Sequence, residues 1–159
     1  MFKEKLFFFF DDLEQGFIGS FIRDSLWLFP AIEAIHLIGL AILGGSVLVN
    51  DLRLMRFLLV NKPAIYVLDQ TMKWFYIGLT VLVSTGVPLF LSEAIKCFYS
   101  RAFWIKMCFL IIGIIFTLFL RNPLIRTETK ENLRFKIIGF ISVFIWAIVA
   151  GSGRWIGFS

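Results

Sequence analysis

Charged residues are scarce in this sequence: they make up 17% of its 159 residues, whereas hydrophobic residues make up 59%. Soluble domains carry about 25% charged and about 45–50% apolar residues. The composition therefore excludes an ordinary soluble domain and indicates a membrane-embedded chain. Because a spanning helix needs about 20 residues, the length allows four spans with loops and leaves no room for a separate soluble domain.

Cysteine and histidine are also rare. The cysteines are Cys97 and Cys108, and His36 is the single histidine. No C-x-x-C or zinc-knuckle spacing is present, so we expect two buried, inert thiols rather than a disulfide. The sequence also lacks a P-loop and a dinucleotide fingerprint, which argues against the enzyme classes that soluble domains support.

Long apolar runs are what the sequence does contain, at residues 27–49, 74–91, 103–120 and 135–150. Each run is near the length that crosses the hydrocarbon core of a bilayer. Lipid offers no partners for backbone polar groups, so each run is satisfied as a helix. The pattern predicts an all-α membrane protein in which residues 25–159 form a four-transmembrane-helix bundle.

Acidic residues distinguish the N-terminal segment, residues 1–24, from the four runs. Phenylalanines and leucines are mixed there with Asp11, Asp12 and Glu14, which interrupt the apolar character before it reaches the length of a span. This mixture is typical of an amphipathic helix that lies on the bilayer surface. We therefore expect residues 1–24 to form an N-terminal interfacial helix.

Basic residues are concentrated in the loop after run one and the loop after run three. The first contains Arg53, Arg56, Lys62 and Lys73, and the second contains Arg121, Arg126, Lys130 and Arg134. Loops rich in Lys and Arg face the cytoplasm, so we expect both termini to be periplasmic. The net charge of +5 is then a topology signal, and we expect lipid rather than nucleic acid as the partner.

Glu33 and His36 are the most notable polar pair within a run, because a spacing of three places them on one face of a helix. A charged, unpaired carboxyl group in a bilayer is costly, so such residues are kept for pairing, ligation or proton transfer. The pair is compatible with an axial ligand of heme b, with a di-metal site shared by a homodimer and with a proton relay. The simplest use of the histidine is a hydrogen bond between helices, with Glu33 as its acceptor.

Two further pairs of polar residues lie near the ends of the runs. Lys106 and Arg154 lie toward the outer side, and we expect them to join Glu33 and His36 in one polar cluster, because a buried carboxylate needs a partner. The alternatives are that Lys106 snorkels to the outer interface and that Arg154 is an interfacial anchor. Asp51 and Arg53 lie at the cytoplasmic exit of run one. They are compatible with a charged helix cap, with a salt-bridge clasp to another loop and with an anchor for an anionic head group.

The order of these motifs resembles a bacterial family of integral membrane proteins, domain of unknown function 6644. The matching segments are residues 29–39, 44–46 and 51–54, then Thr85-Gly86, Glu93, Phe103, Lys106 and Gly153-Arg154-Trp155. The resemblance covers nearly the whole chain from Trp27. It implies a four-helix protein of the bacterial inner membrane without an assigned activity.

The layout is more distantly similar to the copper-resistance D-type membrane domain and to the heme-dependent membrane protoporphyrinogen oxidase. Those proteins also place a histidine early in the first helix, with glycines after it. The similarity implies a heme b-associated or redox component in which His36 ligates the iron and Glu33 accepts a hydrogen bond from the other ring nitrogen. Gly39, Gly44 and Gly45 would let a helix or a flat macrocycle approach.

One departure from those relatives concerns the sixth ligand of a heme iron. The relatives carry a second histidine near the end of the third helix, where this sequence reads Phe119-Leu120-Arg121. The sixth ligand would then be Met72, Met107, another side chain or an open position. Two other functions stay open: a non-catalytic accessory subunit of a larger membrane complex, and a small proton-coupled carrier. A His36 that only hydrogen-bonds to a neighbouring helix would favour the accessory subunit.

Overall fold

The computed structural model describes residues 2–128 and 133–157. Lys130, one of the basic residues counted for the orientation in the membrane, lies outside the described residues. The described residues form eight α-helices and one π-helical segment. They are α1 (Phe2–Gln15), α2 (Phe17–Arg23), α3 (Leu28–Leu54), α4 (Ala64–Ser92), α5 (Ala94–Tyr99), α6 (Arg101–Ile115), the π-helical segment (Phe116–Arg121), α7 (Asn122–Thr127) and α8 (Leu133–Ile156).

The predicted four-transmembrane-helix fold is confirmed. Four helical stretches are long and apolar enough to cross a membrane: α3, α4, the third span Arg101–Thr127 and α8. Helix α3 packs mainly against α4, the third span packs against α8, and α3 also contacts α8. We name the end where α4 stops and α6 starts the outer end, and the end where α3 stops and α4 starts the inner end.

Glycines set the close crossing of α3 and α4. A Cβ atom on Gly78 would lie 2.6 Å from the backbone nitrogen of Leu43, and one on Gly39 would lie 2.7 Å from a methyl group of Val81. Gly39 therefore brings a second helix close, as its small size predicted. Gly44 and Gly45 do not, because no atom of another described helix lies within 4 Å of a Cβ built there.

The N-terminal segment forms two helices rather than the single predicted one. The break falls at Gly16, which adopts an extended conformation and precedes α2, because glycine is a poor residue for a helix interior. Glu14 fastens both helices to the outer end: its carboxylate accepts from the backbone nitrogen of Ile95 at 2.6 Å and pairs with Arg23 at 3.0 Å. The location of these helices at the membrane interface stays a prediction.

The third span widens into the π-helical segment just before Pro123. Proline has no backbone N–H, and its ring clashes with the carbonyl four residues earlier. A π-helical turn relieves that clash by shifting the hydrogen-bond register. The helix then continues to Thr127, seven residues beyond the predicted end of run three. Arg121 therefore lies within the bundle. Its predicted position in the basic loop after run three is wrong.

Candidate functional site

Polar side chains within the bundle fall into two groups, one toward each end. The outer group consists of the predicted cluster, Glu33, His36, Lys106 and Arg154. The inner group is centred on Asp51 and Arg121, whose side chains are 0% and 1% exposed. The two groups differ in whether their charged side chains are paired within the described protein.

His36 is held by one hydrogen bond to the neighbouring helix α4. Its Nδ1 atom lies 2.8 Å from the hydroxyl oxygen of Thr85. That hydroxyl has a single proton and donates it to the carbonyl of Val81 at 2.6 Å. With the hydroxyl proton assigned to that bond, Thr85 accepts from His36, which assigns the ring proton of the neutral imidazole to Nδ1 and leaves the lone pair of Nε2 free. Gly86 allows the ring to lie against α4, since a Cβ there would be 3.3 Å from Cε1 of His36.

Glu33 does not form the predicted bond with His36. Its side chain is exposed, and the described residues give it no hydrogen bond or ion pair. The physical reason is the helical rotation: three residues turn through about 300°, so Glu33 is offset by about 60° from His36, which faces α4. Thr85 takes the role that the sequence had assigned to Glu33.

Lys106 and Arg154, the two basic residues of the predicted outer cluster, differ in their burial. Lys106 is half-buried on α6 and lies near enough to His36 for the two side chains to interact electrostatically. Its Nζ atom is 3.5 Å from the position of a Cβ on Gly153. Arg154 is exposed at the end of α8. The structure thus brings His36, Lys106 and Gly153 together, while Glu33 and Arg154 stay at the exposed edge.

The inner group is a buried clasp between α3 and the third span. Asp51 Oδ1 accepts from the guanidinium of Arg121 at 2.8 Å, and Arg121 Nε donates to the side-chain oxygen of Asn122 at 3.2 Å. Arg53 is also buried and donates to the carbonyl of Lys62 at 2.6 Å, which fastens the loop between α3 and α4. Asp51 therefore forms a salt bridge, but with a residue of the third span and not with another loop as predicted.

Further hydrogen bonds surround this clasp. Trp146 Nε1 donates to the hydroxyl of Thr117 at 3.1 Å, Asn50 donates to the hydroxyl of Thr71, and the amide of Asn122 donates to the sulfur of Met72 at 3.2 Å. Sequence reasoning missed Arg121, Asn122 and Thr117. The signal that was available is Pro123, whose missing N–H and bulky ring predict an irregular helical turn before it.

Two polar atoms of the inner group have no hydrogen-bond partner among the described residues. They are Oδ2 of Asp51 and Oγ of Ser142. Ser142 lies beside the Asp51 carboxylate without a hydrogen bond between them, so their interaction is electrostatic. The ion pair with Arg121 is therefore the main interaction that stabilises the buried Asp51 charge.

The two methionines proposed as sixth ligands are poorly placed for one. Met72 lies thirteen residues before Thr85 on α4, about 20 Å away along the helix axis, and its sulfur already accepts a hydrogen bond. Met107 is 38% exposed on the surface of α6. Among the described residues, no group of three or more His, Cys, Asp or Glu side chains could hold a metal ion. Neither methionine therefore supplies a second ligand beside His36, and heme ligation stays a prediction.

The two cysteines are separate and unbonded. Cys97 is buried on α5, and burial, assisted by the negative charge of Glu93, raises the pKa of its thiol to about 11. It is the inert thiol that the sequence predicted. Cys108 is exposed on α6, so its predicted burial is wrong: its side chain faces outward from the bundle, where lipid rather than protein covers an apolar run.

Comparison with known proteins adds a family and no function. Residues 9–159 match the profile of DUF6644, described as a family of unknown function. No curated protein matches the chain, and no solved structure does. The distant similarity to copper-resistance and protoporphyrinogen oxidase proteins therefore stays a prediction.

Proposed function

We propose that this membrane protein, which belongs to the DUF6644 family of unknown function, binds heme b through His36. The observation that carries the proposal is the 2.8 Å contact between Nδ1 of His36 and the hydroxyl of Thr85, from which the tautomer of the ring is assigned. Its Nδ1–H donates to Thr85, which leaves Nε2 with a free lone pair. A heme ligand needs this arrangement, since the second nitrogen of a ligating histidine normally donates to an oxygen that orients the ring.

Lys106 supports the same proposal. Among the described residues its ammonium group has no hydrogen bond and no ion pair, although it is half-buried between α6 and Gly153. An ammonium group held there without an acid is available to the anionic substituents of a bound macrocycle. When bound, the heme would supply one-electron redox chemistry. The protein would supply the axial nitrogen, its orientation by Thr85 and a positive charge nearby.

The proposal is tested by visible absorption of the protein purified in detergent from cells with ample heme. We expect a Soret band in the wild type and its loss in His36→Ala. Thr85→Val should keep the ligand but weaken heme affinity by about 10–100-fold, because it removes the oxygen that orients the ring. Glu33→Gln is the matched control and should leave the band unchanged. A wild type without Soret absorbance contradicts the proposal.

A non-catalytic accessory subunit is the second candidate, and one specific contact favours it. The bond from His36 to Thr85 joins α3 to α4, which is what the accessory role requires of His36. In that case His36→Ala should reduce stability by about 0.6 kcal/mol, the mean for such bonds in membranes, with no spectral change. The proton-coupled carrier has less support, because Glu33 lies outside the hydrogen-bond chain of His36.

We also propose that the inner end faces the cytoplasm of a bacterial inner membrane, with both termini periplasmic. The support is the positive charge at that end, on Arg56, Lys62 and Lys73 among others. A reporter fused after Asn61, in the loop between α3 and α4, should show a cytoplasmic location. A periplasmic signal from this fusion would reverse the orientation.

A further inference from the structure

An exposed stripe of lysines and aromatic rings runs along the inner end of α4, outside both polar groups. We name it the α4 stripe; it consists of Lys62, Tyr66, Gln70, Lys73 and Trp74, all exposed. Tyr66 and Lys73 are seven residues apart, so they lie on the same face of the helix. The Lys62 ammonium lies 5.7 Å from the ring centre of Tyr66, and that of Lys73 lies 5.5 Å from the ring centre of Trp74.

The charge of the α4 stripe is not neutralised by the described protein. Neither Lys62 nor Lys73 forms an ion pair with an acid there. The nearby Asp69 is engaged elsewhere, since its carboxylate pairs with Arg126 at 2.8 Å. At the outer end, by contrast, Lys96 pairs with Glu93 at 3.6 Å. Two positive charges on the α4 stripe are thus left for an external anion.

The depth of the α4 stripe identifies that anion. The apolar part of α4 begins at Trp74, so Lys73 and Trp74 lie at the boundary of the hydrocarbon core. Tyr66 lies about 10 Å farther out along the helix axis, which spans the layer occupied by lipid head groups. Aromatic rings beside lysines are typical of this layer. The neighbouring loop adds exposed apolar side chains, Phe57 at 78% and Val60 at 44%.

We propose that the α4 stripe binds the head group of an anionic phospholipid in the leaflet at the inner end, with Lys62 and Lys73 contacting its phosphate and Tyr66 and Trp74 contacting its glycerol and upper chains. We choose an anionic lipid because its charge complements that of the two lysines. A zwitterionic lipid offers the two lysines no net charge, whereas an anionic lipid gains affinity from each basic residue near the surface. The proposal is independent of heme binding at His36.

Quenching of Trp74 fluorescence by brominated lipids tests the proposal. The full-length protein is reconstituted in vesicles of phosphatidylcholine that contain a minor fraction of brominated phosphatidylglycerol or brominated phosphatidylcholine. Because the chain has 5 tryptophans, the signal of Trp74 is taken as the difference between the wild type and Trp74→Phe. We expect this signal to be quenched more strongly by the anionic lipid, with about a five-fold contribution to the affinity from each lysine.

The matched variants separate this site from general surface charge. Lys62→Gln with Lys73→Gln should abolish the preference for the anionic lipid, whereas Lys136→Gln, an exposed lysine on α8 at the same end, should preserve it. Circular dichroism and gel filtration show that each variant is folded. Equal quenching by the two lipids in the wild type overturns the proposal, and so does a preference that survives the double substitution.

Discussion

The outer and inner polar groups differ in burial and in how their charges are paired. The inner group satisfies its charge from within, because Asp51 and Arg121 are both fully buried and lie 2.8 Å apart. The outer group does not: Nε2 of His36, the ammonium of Lys106 and the carboxylate of Glu33 have no hydrogen bond within the described protein. Burying an unpaired charge is costly, so an internally paired group indicates a structural role and an unpaired one indicates a ligand or solvent.

The largest expected effect comes from breaking the inner clasp. We expect Asp51→Asn to lower the free energy of unfolding by about 3–5 kcal/mol, because it leaves the buried guanidinium of Arg121 without a counter-charge. Chemical unfolding in detergent micelles measures this change. The double variant Asp51→Asn with Arg121→Gln should recover much of the loss, since it removes both charges.

The exposed pair of Asp69 and Arg126 provides a matched control for that measurement. Its N–O distance is also 2.8 Å, but its side chains are 50% and 53% exposed. Surface ion pairs contribute about 0–1 kcal/mol, so Asp69→Asn should have a small effect. Equal losses from Asp51→Asn and Asp69→Asn would mean that burial does not distinguish the two pairs, and the structural interpretation of the inner clasp would fail.

A smaller effect should come from the glycines that line the two groups. Gly139 faces the backbone at the inner end, where a Cβ would lie 3.0 Å from the carbonyl oxygen of Asp51. The backbone has little freedom to move, so we expect Gly139→Ala to lower the free energy of unfolding by about 1–3 kcal/mol. At the outer end, a Cβ on Gly86 would meet the side chain of His36 at 3.3 Å, and that ring can shift.

Gly86→Ala is therefore the comparison for Gly139→Ala. The favourable helix propensity of alanine, about 1 kcal/mol over glycine, should offset the displacement of the His36 ring, and the net change should stay within about 1 kcal/mol. Thermal unfolding of the two variants side by side measures the difference. A Gly86→Ala variant that is the less stable of the two would show that the outer group is packed as rigidly as the inner one.

The four spans were predictable because lipid leaves the backbone no alternative to a helix. The ends of these helices were less predictable, because hydropathy detects only the part of a helix that contacts lipid. Helix α4 begins at Ala64, ten residues before the apolar run starts, and the third span continues past Leu120 to Thr127. Both extensions carry polar residues, which the sequence pattern had assigned to loops.

The contacts of the polar residues were not predictable from the spacing along one helix. Asp51 and Arg121 are 70 positions apart, and no local pattern relates them. Asp51 and His36 were correctly predicted to need partners. The predicted acceptor of His36 was Glu33, which lies on the same helix. Helix α3 is oriented so that His36 faces α4, and its partner is therefore Thr85.

The smallest expected effect belongs to Glu33, the residue on which the predicted outer cluster depended. Glu33 lies five residues after the start of α3, about 8 Å from the end of the helix, so its carboxylate can reach the hydrated interface. Because it is exposed and the described residues give it no hydrogen bond or ion pair, we expect Glu33→Gln to change the free energy of unfolding by less than about 0.5 kcal/mol. Asp51→Asn, measured in the same micelles, sets the scale for a paired carboxylate. A loss above about 2 kcal/mol in Glu33→Gln would show that this carboxylate has an internal partner after all, and the contrast between the outer and inner groups would disappear.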